Sequence, residues 1–193
     1  MNKDQTLEVL ISKRIFPITN KIEYGLINDM EKALFQMCIE DQTKKAELVI
    51  DSGGGDAAIA LSGFDFIKSL PFPVHCTVIG NCHSATLTLI SACQKRKATK
   101  YSRFLFHAMG FNPTFSLNED VHEQLRVGFE QSQIILDSCF EVQSKAYNLT
   151  RKELEKMRNE GERYNIKLTA QQALEKGVIH EIVEKFDFFD ATK

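Results

Sequence analysis

Short apolar segments alternate with amphipathic segments in the first half of the chain, and this alternation restricts the fold more than any other feature. Segments 46–51 and 74–80 are apolar runs typical of buried strands. Segments 57–69 and 85–94 repeat apolar residues at helical spacing, and a basic turn is predicted at 95–97. Strand, helix and strand in succession form the repeating unit of right-handed α/β folds. The sequence therefore predicts a mostly parallel α/β core.

Length and composition predict one domain, 1–193, without a nucleic-acid or membrane partner. The chain has 193 residues, 24 Lys and Arg against 26 Asp and Glu, and a formal net charge of -2. This balance does not indicate a basic surface for nucleic acids or anionic lipids. No apolar run approaches the roughly 20 residues that span a bilayer, and no secretion signal is evident. Five isolated cysteines are typical of reduced thiols, so we expect a cytoplasmic protein.

Three features that can carry chemistry follow predicted strands: the glycines 53–55, Ser84 and His107. Open α/β sheets place their sites at the carboxyl ends of strands. Glycines let the backbone approach a ligand, but they also form tight turns. A serine between a strand and a helix suits a nucleophile, but it is also a preferred helix N-cap. His107 has a structural alternative as well, so the coincidence of the three features favours a catalytic site.

A long helix is predicted at 116–146. Ser116 and Glu119 have the spacing of a capping box, and apolar residues continue to about Ala146. These apolar residues surround much of the helix: Val127, Phe129, Ile134, Ile135, Phe140 and Val142. A single domain of this size is not expected to cover them all. We therefore expect part of the helix to contact another subunit.

Four motifs, in matching order, resemble those of the ClpP family, the proteolytic subunits of the Clp protease. Segment 50–55, IDSGGG, resembles the family's INSPGG turn, and segment 80–85, GNCHSA, resembles its GQAASM turn. Segment 102–107, SRFLFH, is similar to the family's S-R-x-M-I-H. Segment 168–179, LTAQQALEKGVI, is similar to L-S-A-x-E-A-x-x-Y-G-L-V. The resemblance extends from about residue 14 to residue 183.

The resemblance implies a ClpP/crotonase-like spiral of ββα units with a long projecting handle helix. It also implies a serine endopeptidase that cleaves peptides or unfolded proteins. Homo-oligomers in heptameric rings or stacked rings, a possible AAA+ unfoldase partner and the absence of any metal or organic cofactor are implied too. By position, Ser84 matches the nucleophile, His107 the general base, and the backbone N–H groups of Gly55 and Ala85 the oxyanion hole. The third member of the triad falls on Asn165.

Departures from the family pattern leave alternatives open. Asn165 stands where aspartate is usual, so Glu160 and Glu162 are alternative partners for the histidine. Thr86 replaces a glycine, and Asp56 replaces an aliphatic residue. A catalytically weak or inactive ring subunit with a regulatory role is therefore an alternative function.

Two further alternatives have less support from the residues. Acyl-CoA chemistry on the related crotonase spiral usually relies on carboxylates rather than a Ser/His pair, and no CoA-binding signature is present. His83 beside Cys82 suggests a metal site, but no third ligand lies at diagnostic spacing.

Overall fold

The computed structural model describes residues 3–107, 120–160 and 165–185, which form a mixed α/β fold. The helices are Lys3–Ser12 (α1), Tyr24–Glu40 (α2), Ala57–Ser69 (α3), Ala85–Ile90 (α4), Val121–Ala146 (α5), Arg151–Glu160 (α6) and Ala170–Glu175 (α7). The strands are Ile15–Ile18 (β1), Ala46–Ser52 (β2), Val74–His83 (β3), Lys95–Thr99 (β4), Arg103–Phe106 (β5), Ile166–Thr169 (β6) and Glu181–Val183 (β7). The predicted α/β class is confirmed. Within these ranges, no helix combines the length and apolar character needed to cross a membrane.

A parallel sheet in the order β1-β2-β3-β4-β7 forms the centre of the fold. Strand β1 lies at the edge of this sheet. Pro17 has no backbone N–H to donate, and an edge strand tolerates this loss better than a central strand would. The long strand β3 pairs with β4 along residues 75–78 and with β5 along residues 81–83. Strand β6 then pairs with β5 in the antiparallel direction. The carboxyl ends of β2, β3 and β5 consequently face the same side of the molecule.

The hydrophobic core lies between this sheet and helices α2 and α3. Met30, Leu34 and Met37 on α2 are fully buried, as are Leu48 and Ile50 on β2. Their spacing along α2 is the helical repeat that the sequence predicts. Each large apolar side chain removed from water contributes about 1.5–3 kcal/mol, so this layer fixes the sheet on which the site is built.

Helix α5 is the predicted long helix, although it begins later than expected. Asp120 caps it by accepting a hydrogen bond from the His122 N–H at 2.9 Å. The proposed capping box of Ser116 and Glu119 lies outside the described residues. The helix ends at Ala146, where the prediction placed its end.

The carboxyl-terminal half of α5 is anchored to the subunit. The buried Gln143 amide donates to the Thr88 hydroxyl at 2.9 Å, and the Tyr147 hydroxyl donates to the Leu87 carbonyl at 2.5 Å. Phe140 is 2% exposed, so it belongs to the core of its own subunit rather than to an exposed surface. Ile134, in contrast, is 66% exposed.

The basic run at 95–97 forms strand β4, so the prediction of a turn there was wrong. Arg96 and Lys97 are buried, and Lys97 Nζ lies 3.6 Å from Glu47 Oε1. The Arg96 guanidinium donates to four backbone carbonyls, those of Cys93, Ala146, Gly177 and Val178. Consecutive basic residues are usually exposed, and only the tertiary structure reveals partners that compensate for their burial.

The stability of the subunit is expected to fall as the pH drops below about 6.5, because His180 takes up a proton less readily in the folded chain than in the unfolded chain. The Arg96 backbone N–H donates to His180 Nδ1 at 3.0 Å. Burial lowers the pKa of His180, and the nearby charges of Arg96 and Lys95 lower it further. As the pH falls, His180 is therefore protonated in the unfolded chain at a higher pH than in the folded chain. The folded state loses stability from about pH 6.5 down to the lower pKa that His180 has in the folded chain.

Urea unfolding at pH 7.5 and 5.5 measures this effect. His180→Asn keeps an acceptor without a proton to gain, so it should reduce the pH dependence without abolishing it, because His75 and His83 also have lowered pKa values. His122→Asn, on the exposed start of α5, is the matched control. An unchanged slope in His180→Asn would contradict this explanation.

Candidate active site

Ser84 occupies a sharp turn between strand β3 and helix α4. Its backbone has φ 55° and ψ -125°, a conformation that residues with a Cβ rarely adopt. The Ser84 side chain makes no capping hydrogen bond to α4, so the N-cap alternative does not explain this serine. Such strain, about 1–3 kcal/mol, is typical of functional turns. The Ser84 N–H donates to the Leu105 carbonyl at 2.8 Å, which fixes the turn against β5.

The glycine turn after β2 lies directly against Ser84. A Cβ on Gly54 would approach the Ser84 Cβ to 2.7 Å, and a Cβ on Gly55 would approach the Ile22 carbonyl oxygen to 2.1 Å. Both glycines have positive φ, 97° and 156°. The buried Ser52 hydroxyl accepts from the Gly54 N–H and donates to the Asn20 carbonyl, which holds the turn in place. Only glycine therefore fits at these two positions.

Backbone N–H groups are available next to Ser84. Ala85 is the first residue of α4, so its N–H has no acceptor within the helix. Gly55 lines the same cavity as Ser84 and Ala85. Such N–H groups can stabilise a negative oxygen that forms at the serine. Their role as an oxyanion hole remains a prediction.

Strand pairing places His107 and Asn165 at the same end of the sheet as Ser84. His83 pairs with Leu105 in the parallel register, and His107 follows the end of β5. Phe106 pairs with Ile166 in the antiparallel register, so the next positions along the two strands are His107 and Asn165. Both residues are half-buried. Of the alternative partners, Glu162 and the Glu160 side chain lie outside the described residues.

A small cavity opens beside Ser84, with a volume of about 40 Å³. Gly55, Ala85 and His107 line it together with Ser84. Asn165 does not line it. Among the described residues, its other walls come from β5 and from helices α3, α4 and α5: Ala57, Leu87, Thr88, Phe106, Leu136, Cys139, Phe140 and Gln143.

A second imidazole lies near His107. Burial lowers the pKa of His83, and the nearby His107 lowers it further, while the Asp51 carboxylate opposes the shift. Cys82 is fully buried, whereas His83 is only half-buried, as expected for neighbours on opposite faces of a strand. Among the described residues, no group of three or more potential metal ligands comes together. The described residues around His83 thus show an electrostatic interaction with His107 and no cluster of metal ligands.

The two departures from the family pattern near the serine differ in their effects. Asp56 caps helix α3 by accepting from the Ile59 N–H at 2.9 Å, and it does not line the cavity. Thr86 is fully buried, and its hydroxyl finds no hydrogen-bond partner in the described part of the chain. Asp56 therefore serves as a helix cap. Thr86, in contrast, buries a hydroxyl group for which the described residues offer no hydrogen-bond partner.

Thr86→Val is expected to stabilise the subunit by about 1 kcal/mol. Valine keeps the shape of threonine but removes a buried hydroxyl whose desolvation is not compensated. The free energy of unfolding in urea measures the change, and Thr150→Val is the opposite control. The Thr150 hydroxyl pairs with Glu153 at the start of α6, so its loss should destabilise. Destabilisation in Thr86→Val would indicate that the hydroxyl has a partner in the assembled protein.

Sequence patterns missed the cavity walls on α4 and α5. Thr88, Leu136 and Gln143 belong to helices that the apolar spacing predicts, but that spacing does not say which positions face Ser84. A glutamine on the buried face of a long helix is the single sequence signal that could have marked this wall.

Sequence comparisons place the chain among Clp proteases. The family model described as Clp protease matches residues 1–186. ATP-dependent Clp protease proteolytic subunit 1 of Protochlamydia amoebophila is 25% identical over 187 residues, which cover 95% of this chain and 86% of that protein. Proteolytic subunit 2 of Chlamydia trachomatis is 33% identical over 100 residues, covering 51% of this chain and 49% of that protein.

A solved structure shows the same fold. An asparagine-to-aspartate mutant of ClpP1 from Listeria monocytogenes superposes with a TM-score of 0.79, covering 95% of this chain and 98% of that chain, at 18% identity. The predicted ClpP-like fold is therefore confirmed. With the family model matched along nearly the whole sequence, the chain belongs to the Clp protease family.

Proposed function

We propose that the protein is a ClpP-like serine endopeptidase in which Ser84 is the nucleophile. The observation that carries this proposal is the backbone of Ser84, which is strained and unused as a helix cap. A nucleophile turn holds its hydroxyl clear of the backbone in this way. Membership of the Clp protease family supports peptide-bond hydrolysis as the reaction.

In the proposed mechanism, the Ser84 Oγ attacks the carbonyl carbon of a peptide bond while His107 takes its proton. The Gly55 and Ala85 N–H groups donate to the oxygen that becomes negative. His107 then gives the proton to the leaving amine as the C–N bond breaks, and an acyl-serine ester remains. Water, activated by the same imidazole, hydrolyses the ester and restores the Ser84 hydroxyl.

Asn165 fits this mechanism as a residue that orients His107. Its side-chain oxygen can accept a hydrogen bond from the imidazole, but an amide carries no charge to stabilise the imidazolium. Activity should therefore be lower than with an aspartate. This feature also favours the second candidate function, a ring subunit of low intrinsic activity with a regulatory role.

Turnover of an unfolded protein distinguishes the two candidates. Fluorescently labelled casein and short fluorogenic peptides are incubated with the purified protein, and an alkyl fluorophosphonate serves as inhibitor. The peptidase proposal expects cleavage of both substrates and its loss after inhibition. Absence of inhibitor-sensitive cleavage, together with intact rings, would favour the regulatory subunit.

We also propose that the subunits form rings, most simply heptameric and stacked in pairs. Four large apolar side chains of α5 are exposed on the isolated subunit: Val121 is 48%, Val127 37%, Phe129 53% and Ile134 66% exposed. Apolar groups grouped on one projecting helix indicate a contact between subunits. An AAA+ unfoldase that delivers unfolded chains to the ring is the corresponding partner.

Ile134→Glu is expected to separate stacked rings into single rings. The substitution places a charge in an apolar contact, where an unpaired carboxylate is costly. Size-exclusion chromatography with light scattering should give about half the wild-type mass, while Ile134→Val should keep it. Ile135 is half-buried and is therefore a poorer probe. A stable wild-type monomer near 22.0 kDa at micromolar concentration would contradict the ring proposal.

A further inference from the structure

We infer that the cavity beside Ser84 selects small P1 side chains, where P1 is the residue whose carbonyl Ser84 attacks. Gln143 is the specificity-determining residue. This inference rests on the proposed function and adds the substrate class to it. The argument depends on the position of the cavity, its size and the hydrogen bond that closes it.

The position of the cavity identifies which substrate group enters it. The carbonyl oxygen must face the N–H groups of Gly55 and Ala85, and the leaving amine must face His107. The remaining substituent of the carbonyl carbon, the P1 Cα, then points towards helices α4 and α5. The cavity between these helices and Ser84 is where the P1 side chain would lie.

The size of the cavity limits this side chain. A buried cavity that admits benzene has a volume of about 150 Å³, whereas one water molecule needs about 10–15 Å³. The cavity beside Ser84, at about 40 Å³, is much closer to the second case. A methyl or hydroxymethyl group fits this volume, and the branched side chain of leucine exceeds it. Alanine and serine are thus the expected P1 residues.

A buried hydrogen bond keeps the cavity small. Gln143 is 6% and Thr88 1% exposed, and the Gln143 Nε2 donates to the Thr88 Oγ1 at 2.9 Å. This bond connects α5 to α4, and both residues line the cavity. If Gln143 moved aside for a larger group, it would leave the Thr88 hydroxyl and its own amide without this bond in a buried site. Leu136 and Phe140, which also line the cavity, are buried apolar side chains.

Two peptidyl phosphonates test the inference. Diphenyl phosphonates with the P1 side chain of alanine and of leucine, otherwise identical, react with a serine nucleophile: the Ser84 Oγ bonds to phosphorus, phenoxide leaves and His107 receives the hydroxyl proton. The rate of adduct formation is followed by intact mass spectrometry on the assembled protein. An alkyl fluorophosphonate, which has no P1 side chain, reports whether the nucleophile reacts at all.

We expect the alanine phosphonate to react at least about tenfold faster than the leucine phosphonate, since poorly fitting methylene groups change rates by about 10–200-fold. Gln143→Ala removes every side-chain atom beyond Cβ, so its preference should shift towards leucine. Gln131→Ala, an exposed glutamine on the same helix, should keep the wild-type ratio. The wild-type ratio decides the inference by itself if Gln143→Ala does not fold.

The possible failures can be distinguished. If the wild-type protein reacts with the leucine phosphonate as fast as with the alanine phosphonate, the size inference is wrong while the peptidase proposal stands. An unchanged ratio in folded Gln143→Ala would show that Gln143 does not determine specificity. If neither phosphonate nor the fluorophosphonate reacts, the proposed function is wrong and the inference falls with it.

Discussion

Ser84→Ala is expected to reduce peptide hydrolysis by at least about 10³-fold while leaving the fold intact. The substitution removes the oxygen that we propose attacks the substrate, and loss of a serine nucleophile has cost up to about 10⁶-fold elsewhere. His107→Ala should have a similar effect. The double variant should be no slower than either single variant, because the two residues act as one unit. Fluorogenic peptide turnover on assembled protein measures all three.

The unfolding free energies of Ser84 variants distinguish a catalytic role of Ser84 from a structural role. The free energy of unfolding of Ser84→Gly should exceed that of Ser84→Ala by about 1 kcal/mol. Glycine relieves the backbone strain at φ 55°, although it also increases the conformational entropy of the unfolded chain. Both variants should be inactive. A fully active Ser84→Ala variant would contradict the mechanism, and equal stabilities would show that the turn is unstrained.

Asn165→Asp is expected to raise turnover, because a carboxylate beside His107 stabilises the imidazolium that forms during attack. The reverse change, aspartate to asparagine in a serine protease, has cost about 10⁴-fold. The gain here should be smaller, since a partly buried carboxylate at a position occupied by an amide is costly unless hydrogen-bond donors compensate its charge. Measurement of kcat from pH 6 to 9 tests the expectation.

Asn165→Ala is the matched control for this experiment. Without a side chain to orient His107, it should be slower than the wild-type protein. Equal or lower turnover in a folded Asn165→Asp variant would place Asn165 outside the triad. The segment from Glu160 to Glu162 would then contain the next residues to test.

Local sequence patterns predicted the core of the fold because few alternatives satisfy them. The apolar run at 46–51 and the helical spacing at 57–69 correspond to β2 and α3 nearly residue by residue. Thr169 and Gln172 form a capping box at the start of α7, an arrangement that depends only on local hydrogen bonds. Patterns that are satisfied within one element were therefore predictable.

Features that depend on distant partners were not predictable in the same way. Lys95, Arg96 and Lys97 suggested a turn, yet they form a strand. Carbonyls from two distant segments, at Ala146 and at Gly177 and Val178, accept hydrogen bonds from the buried Arg96 guanidinium. The candidate site shows the same division. Sequence motifs predicted Ser84 and the glycine turn, whereas the conformation of Ser84 and the wall formed by Gln143 required the packed helices.

The most direct test of the central claim is to identify the residue that an alkyl fluorophosphonate modifies. The assembled wild-type protein is incubated with the reagent, digested and mapped by mass spectrometry, with His107→Ala as the control for activation. The account predicts one stoichiometric adduct, on Ser84, and little or none in the control. An adduct on Ser52 or Ser62, or no adduct in the assembled wild-type protein, would contradict it.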